Sequence, residues 1–181
     1  MVTPGRGRGL SERTPLDYCI IETQAGWIGQ LSSPIGLLRT TLPKPAKELA
    51  ILDLGDKLPQ ADHSPAKFAH LSNQLIDYFT GKIINFDFTP DWAGHTAFQQ
   101  AIWLKTKDIA YGQTSTYGRV ARDIGRPLAA RAVGQALHIN PLPLIVPCHR
   151  VIAGDGSLHG FGGGLEMKAY LLDLEKRSRK G

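Results

Sequence analysis

The apolar spacing of this chain changes once, across residues 90–94, and that change limits the folds open to it. Before it, short alternating runs at 18–23, 26–31 and 37–42 read as strands, since residues two apart share one face of a strand. Residues 32–36 carry turn chemistry, and 43–65 read as an irregular connection around the apolar piece 49–52. Phe68, Leu71, Leu75, Ile76 and Phe79 recur at helical spacing, which predicts an amphipathic helix over 66–80. Residues 84–88 read as one more strand. Beyond the change the spacing is helical. A helix spans 96–107 with Phe98, Ile102, Trp103 and Thr106 on one side. A second is capped by Ser115 or Thr116 and carries Tyr117, Val120, Ala121 and Ile124. A third, opened by Pro127, runs from 128 to about 138, and a last one carries Leu165 to Glu175. The reading is an α/β N-terminal domain over 17–90 and a mostly α C-terminal domain over 94–175. A flexible basic tail, 1–16, precedes them and a basic tail, 176–181, follows.

Charge sharpens this division. The chain carries a net +5, most of it in the two tails, and residues 17–94 are net acidic. Within 105–150, however, seven Lys and Arg face only Asp108 and Asp123, the clustering that phosphate binding needs. No apolar stretch approaches the roughly 20 residues that cross a bilayer, and residues 1–16 lack the apolar centre of a secretory signal. Cys19 and Cys148 stand in unlike contexts, with neither a disulfide framework nor a zinc-type pair. A reducing cytoplasm (a nucleus in a eukaryote) is the natural compartment, with no metal and no cofactor expected. Cys19 reads as a small buried hydrophobe, and His63 and His70 as solvated.

Two stretches carry chemistry. The first is the run 144–152, Leu-Ile-Val-Pro-Cys-His-Arg-Val-Ile, read as a buried strand or extended segment in which Pro147 blocks a helix. A thiol flanked by an imidazole and a guanidinium is either a buried structural cysteine or a nucleophile supplied with a base. The second is the helix pair 116–138 around a Gly-containing turn, the pattern of a helix-turn-helix. Arg119, Arg122, Arg126 and Arg131 accompany it. The small residues Ala129, Ala130, Ala132, Gly134 and Ala136 either let its backbone approach a sugar-phosphate groove or simply pack on another helix. The glycines of 160–164 either admit a ligand or form a plain loop.

Thr-Tyr-Gly at 116–118, Ala-Ala-Arg-Ala-Val-Gly at 129–134, Asn-Pro at 140–141, Pro-Cys-His-Arg-Val-Ile at 147–152 and Gly-Gly-Leu-Glu-x-Lys at 163–168 follow in one order. Together they resemble the O6-alkylguanine-DNA alkyltransferases, also called methylated-DNA–protein-cysteine methyltransferases, over about 94–175. The N-terminal half resembles them only loosely. The resemblance implies a ribonuclease H-like N-terminal domain and a winged-helix-like helix-turn-helix. It also implies a monomer that binds double-stranded DNA through the minor groove and flips out an O6-alkylguanine. Cys148 would take the alkyl group irreversibly, in one turnover, with O4-alkylthymine a second candidate lesion. His149 would draw the proton from Cys148 through a water, Glu175 would orient the imidazole, and Tyr117 would donate to the leaving guanine. Arg131 would fill the vacated stack, or else contact phosphate, with Ala129, Ala130, Gly134, Thr116 and Arg126 also at the DNA. Val151, Phe161, Gly162 and Asn140 would line the guanine pocket. Asn140 would tie the recognition helix to the cysteine segment, and Arg150 would make an internal salt bridge. The family often has tyrosine where Phe161 stands, which bears on the range of alkyl groups. Three other readings of the same residues exist. They are a DNA-binding module that only signals damage, a regulator whose cysteine senses alkylation, and a cysteine hydrolase.

Overall fold

Alternation in the first third of the chain produces a sheet. The computed structural model describes residues 14–178. Strands β1 (Leu16–Thr23) and β2 (Gly26–Ser32) form an antiparallel hairpin, and β3 (Leu37–Thr40) extends it on the far side of β2. Gly26 is required at the hairpin turn: its φ is +123°, and a Cβ there would sit 2.5 Å from the Lys44 carbonyl oxygen. The connection 43–65 is more regular than the sequence suggests. It holds helix α1 (Lys47–Asp53), a turn of 3-10 helix and the edge strand β4 (Ala61–His63). β4 runs parallel to β1, so the sheet order is β3-β2-β1-β4.

Helix α2 (Pro65–Phe79) covers one face of the sheet with Phe68, Leu71, Leu75, Tyr78 and Phe79 buried. Its inward face is rotated from the one expected: Ile76 is partly exposed and Tyr78 fully buried. Residues 84–88 do not form a strand. They lie beside α2, where Gln74 holds the Asn85 carbonyl, and only the following residues bond to the edge strand, through Leu37 to Thr89 and Asp91.

Helix α3 (Ala97–Lys107) starts at a reciprocal capping box between Thr96 and Gln99. Its Trp103 is fully buried and donates from Nε1 to the Ala136 carbonyl, 2.9 Å away on α5. The short strand β5 (Ser115–Thr116) leads into α4 (Tyr117–Asp123), whose N-cap is Thr116, accepting from the Arg119 amide. Helix α5 (Ala130–His138) begins later than Pro127, because the Arg126 and Ala129 amides close a turn onto Ala121 and Arg126. The strand β6 (Val151–Ile152) pairs in parallel with β5, which ties the cysteine segment to the entry of α4. Helix α6 (Gly164–Ser178) closes the chain, so Lys176 and Arg177 are helical rather than part of a tail. Likewise Leu16 belongs to β1, and residues 1–13 and 179–181 lie outside the described residues.

One apolar cluster runs from Cys19 and Phe68 through Trp103 and Val133 to Leu171. The change at 90–94 therefore separates two topologies that share a core. Among the described residues no helix is long and apolar enough to cross a membrane.

Candidate active site

Only the last two residues of the run 144–152 form a strand, as β6; residues 144–147 make a loop, and the flanking Pro143 and the closing Pro147 explain why. Between Pro143 and Pro147 the Val146 amide turns back to the Leu142 carbonyl at 2.8 Å, and Leu144 takes a φ of 73°. A leucine in the left-handed region costs about 1–2 kcal/mol. Thr40 Oγ1 donating to the Pro143 carbonyl and Asn140 Nδ2 donating to the Val146 carbonyl hold it there. Cys148, His149 and Arg150 follow as one turn of 3-10 helix, all three buried, before β6 begins.

Asn140 does more than tie the loop. The same Nδ2 lies 3.2 Å from Cys148 Sγ, which accepts from it, while Oδ1 accepts from the Leu142 amide. Burial pushes the Cys148 thiol above its ordinary value, and the Asn140 hydrogen bond and the Lys168 charge act against that. The resting group is a thiol that needs a base.

An imidazole is adjacent. His149 is fully buried, with Nε2 2.8 Å from Glu175 Oε1. Burial foremost keeps the imidazole below its ordinary pKa, and hence neutral, although Glu175 pulls the other way. Burial alone would raise the Glu175 carboxyl. The hydrogen bonds and charges of His149 and Arg150 outweigh it and hold the group down at about 2. An ionised carboxylate only accepts, so the neutral ring carries its proton on Nε2 and presents a lone pair at Nδ1. Nδ1 is buried and has no hydrogen-bond partner among the described residues.

Glu175 gathers donors from much of the fold. Tyr78 Oη and His149 Nε2 donate to Oε1, the Gly112 amide donates to Oε2, and Arg150 donates to both oxygens. Arg150 also donates to the Ile109 carbonyl, which completes its internal salt bridge. Two turns earlier on α6, Lys168 is fully buried. Its Nζ donates to the Val151 carbonyl (2.7 Å), the His159 carbonyl (3.0 Å) and Tyr117 Oη (3.3 Å).

Two concavities divide the expected site residues. Cys148, Asn140, Phe161 and Gly162 line a cavity of about 290 Å³, whose far wall is the N-terminal segment Thr40, Thr41 and Leu42. Thr116, Tyr117, Ala130, Arg131 and Gly134 line an open groove of about 1100 Å³ between α4, α5 and the loop at 159–160. His138 borders both. Val151 borders neither, and its carbonyl is already engaged by Lys168, leaving one lone pair for a ligand. Ala129 caps α5, and Arg126 is exposed in the preceding turn. Arg119 is paired with Asp123, so it offers less free charge than its neighbours. Sequence reasoning missed Lys168 as a site residue, together with Tyr78, His138 and the Thr40–Leu42 wall. Lys168 was visible only as the last letter of a motif. Among the described residues no group of three or more His, Cys, Asp or Glu is placed to hold a metal ion.

Comparison with known proteins decides the family. Residues 97–177 match the model for the DNA-binding domain of 6-O-methylguanine DNA methyltransferase. The methylated-DNA–protein-cysteine methyltransferase of Haemophilus influenzae is 41% identical over 155 residues, covering 77% of this chain and 87% of that protein. The chain belongs to the methylated-DNA–protein-cysteine methyltransferase family. A second methyltransferase of that name, from Mycolicibacterium paratuberculosis, is 43% identical over 152 residues, covering 81% of this chain and 90% of its own. Mycobacterium tuberculosis OGT, solved in complex with DNA, superposes with a TM-score of 0.77 at 37% identity, covering 90% of this chain and 94% of that one.

Proposed function

We propose that this chain repairs O6-alkylguanine in double-stranded DNA by moving the alkyl group onto its own Cys148. One observation carries the assignment of roles: Cys148 Sγ opens on a cavity and accepts from Asn140, beside a neutral His149 whose Nε2 is committed to Glu175. The free lone pair at Nδ1 takes the thiol proton through one bridging water. The thiolate then attacks the alkyl carbon, so that an S–C bond forms as the C–O6 bond breaks. The guanine leaves as an anion and takes up a proton from Tyr117 Oη, which exchanges its bond to the His159 carbonyl for the base while Lys168 Nζ, 3.3 Å away, donates to the same oxygen. The thiol proton held by His149 balances that loss, and the product is guanine and a thioether. A thioether is a poor leaving group, so each protein molecule acts once.

DNA enters along the groove of α4 and α5, where small side chains at Ala130 and Gly134 permit close approach and Arg131 fills the space of the flipped base. Arg126 and Ala129 lie at the backbone, Val151 contributes its remaining carbonyl lone pair, and Phe161 and Gly162 border the base. The order β3-β2-β1-β4, with β4 parallel to β1, supports a ribonuclease H-like N-terminal unit over 17–90. The β5–β6 pair beside α4 and α5 supports a winged helix-turn-helix within 94–175. The protein works as a monomer in a reducing compartment, cytoplasm or nucleus, where the thiol persists. The test is a single-turnover assay with duplex DNA carrying labelled O6-methylguanine, followed by mass analysis of the Cys148 peptide. One methyl per protein on Cys148, abolished in Cys148→Ala, is expected. Lesion binding with no transfer would overturn it in favour of a damage-signalling module.

A further inference from the structure

Among the described residues, the catalytic relay receives one side-chain donor from outside the C-terminal half. Tyr78, on α2 of the N-terminal half, is fully buried and donates from Oη to Glu175 Oε1 at 2.8 Å, while lying 3.5 Å from His149 Nε2. Its ring cannot swing away. Phe79 meets it edge-on at 5.1 Å, Phe86 lies at 5.8 Å and Tyr111 stands edge-on at 5.8 Å. Tyr111 in turn carries the Arg150 guanidinium over its own face at 5.5 Å. The hydroxyl is thus fixed against the same carboxylate oxygen that orients the imidazole.

We propose that Tyr78 is a positioning residue of the transfer reaction, holding Glu175 Oε1 in line with His149 Nε2 and thereby setting the pH range in which His149 accepts the Cys148 proton. The proposal rests on the function given above. It makes the N-terminal half a working part of the active site.

The physical argument concerns charge at one oxygen. The groups facing His149 are Glu175 and Lys168 from α6, Arg150 and Cys148 from its own turn, and Tyr78 from α2. Glu175 favours the imidazolium, and Arg150 and Lys168 oppose it. A donor bonded to Oε1 spreads the carboxylate charge and weakens its pull on the ring proton. Burial foremost, then the Glu175 charge, pushes the Tyr78 phenol above its ordinary value, so it stays a donor throughout the working range. Without the hydroxyl, the carboxylate draws a proton onto His149 at higher pH, and a protonated imidazole accepts nothing.

Tyr78→Phe removes the hydroxyl and keeps the ring. The single-turnover rate on O6-methylguanine duplex is measured from pH 5.5 to 9, and the His149 ring is titrated by 15N NMR in protein without DNA. The expected result is an acid limb moved up by about half to one pH unit, a loss of about three- to tenfold along that limb that vanishes as the pH rises above it. The imidazole titration should move in the same direction. A uniform loss at every pH, or an unmoved imidazole, would overturn the proposal and leave Tyr78 a packing residue. The NMR titration reads Tyr78 even if the wild type transfers no methyl group, an outcome that would count against the function instead.

Discussion

Replacing Asn140 by aspartate tests how the thiol is made reactive. The change keeps side-chain size and the acceptor for the Leu142 amide, but removes both Nδ2 donations, to the Val146 carbonyl at 2.9 Å and to Sγ at 3.2 Å. A hydrogen bond to a charged group is worth about 1.5–3 kcal/mol. Sγ carries charge only once the proton has left, so most of that energy belongs to the thiolate and the transition state. The loss therefore predicts methyl transfer slower by about 10- to 150-fold at pH 7. An ionised carboxylate at 140 would add repulsion, so the lower figure is a floor. Two assays separate chemistry from folding. Iodoacetamide modification of Cys148 against pH should show the acid limb moved upward, with rates converging in strong base, where the thiolate no longer needs help. The lost bond to Val146 loosens the loop that holds Leu144 at positive φ, and at about 2–4 °C per kcal/mol for a chain of this size it should lower Tm by a few degrees. A lowered Tm with an unmoved iodoacetamide profile and an unchanged transfer rate would refute the reasoning and reduce Asn140 to a loop tie.

Lys168→Met removes the charged donor from two carbonyls and from Tyr117 Oη. Calorimetry should show a loss of about 2–4 kcal/mol, on the order of 5–15 °C in Tm, with slower transfer because the positive charge near the thiolate is gone. A Tm within a degree of wild type would contradict this. Acid unfolding should proceed in two windows. Folding holds His149 below the 6.5 of a free histidine, so the unfolded chain binds more protons and stability falls as pH drops below about 6.5. Glu175, held at about 2 against an ordinary 4.5, removes further stability as pH falls from about 4.5 towards 2. Urea midpoints for Glu175→Gln should lose the lower window. Arg131→Ala should slow transfer from duplex DNA far more than from free O6-methylguanine, because it acts on flipping. Arg126→Ala should instead lower the salt dependence of DNA binding by about one phosphate, and equal effects of the two variants would argue against separate roles.

The parts of the fold legible in the sequence are those where apolar spacing agrees with local geometry: β1, β2, α2, α3 and the pair α4–α5. The parts missed are those decided by neighbours. Strand β4 consists of Ala61, Asp62 and His63, a polar edge that carries no alternation and exists because β1 offers it a partner. The run 144–152 has the composition of a buried strand, yet Pro143, Pro147 and two side-chain donors fold 144–147 into a loop and leave only β6 as strand. The family resemblance paired His149 with Glu175, and the fold sets Nε2 and Oε1 2.8 Å apart, with Cys148 next to His149 in the chain. Asn140 was read as structural because a sequence does not show that one amide nitrogen can serve a carbonyl and a sulfur at once. On α2, Ile76 looked like a core residue and Tyr78 did not, because spacing ranks a hydroxyl as a cost. In the fold that hydroxyl has a carboxylate to meet.

Helix α6 shows the same limit in its strongest form and explains why stability and reactivity are joined here. Lys168, Leu171 and Glu175 are its three buried positions, spaced three and four residues apart along one face. By periodicity alone that face is broken by charge and α6 looks weakly amphipathic. Yet a buried charge is tolerable only when neighbours supply its partners. Here Lys168 binds β6, α4 and the loop at 159, while Glu175 binds α2, the turn before β5 and the cysteine segment. Every element that carries a reacting group is thus fastened to α6 by hydrogen bonds to one of two buried charges. Leaving either charge unpaired costs about 3–5 kcal/mol, a large part of what holds a domain of this size together. The bonds that orient His149 and brace Tyr117 are therefore the bonds that hold the C-terminal half in place, and a variant at either position must be judged by rate and Tm together.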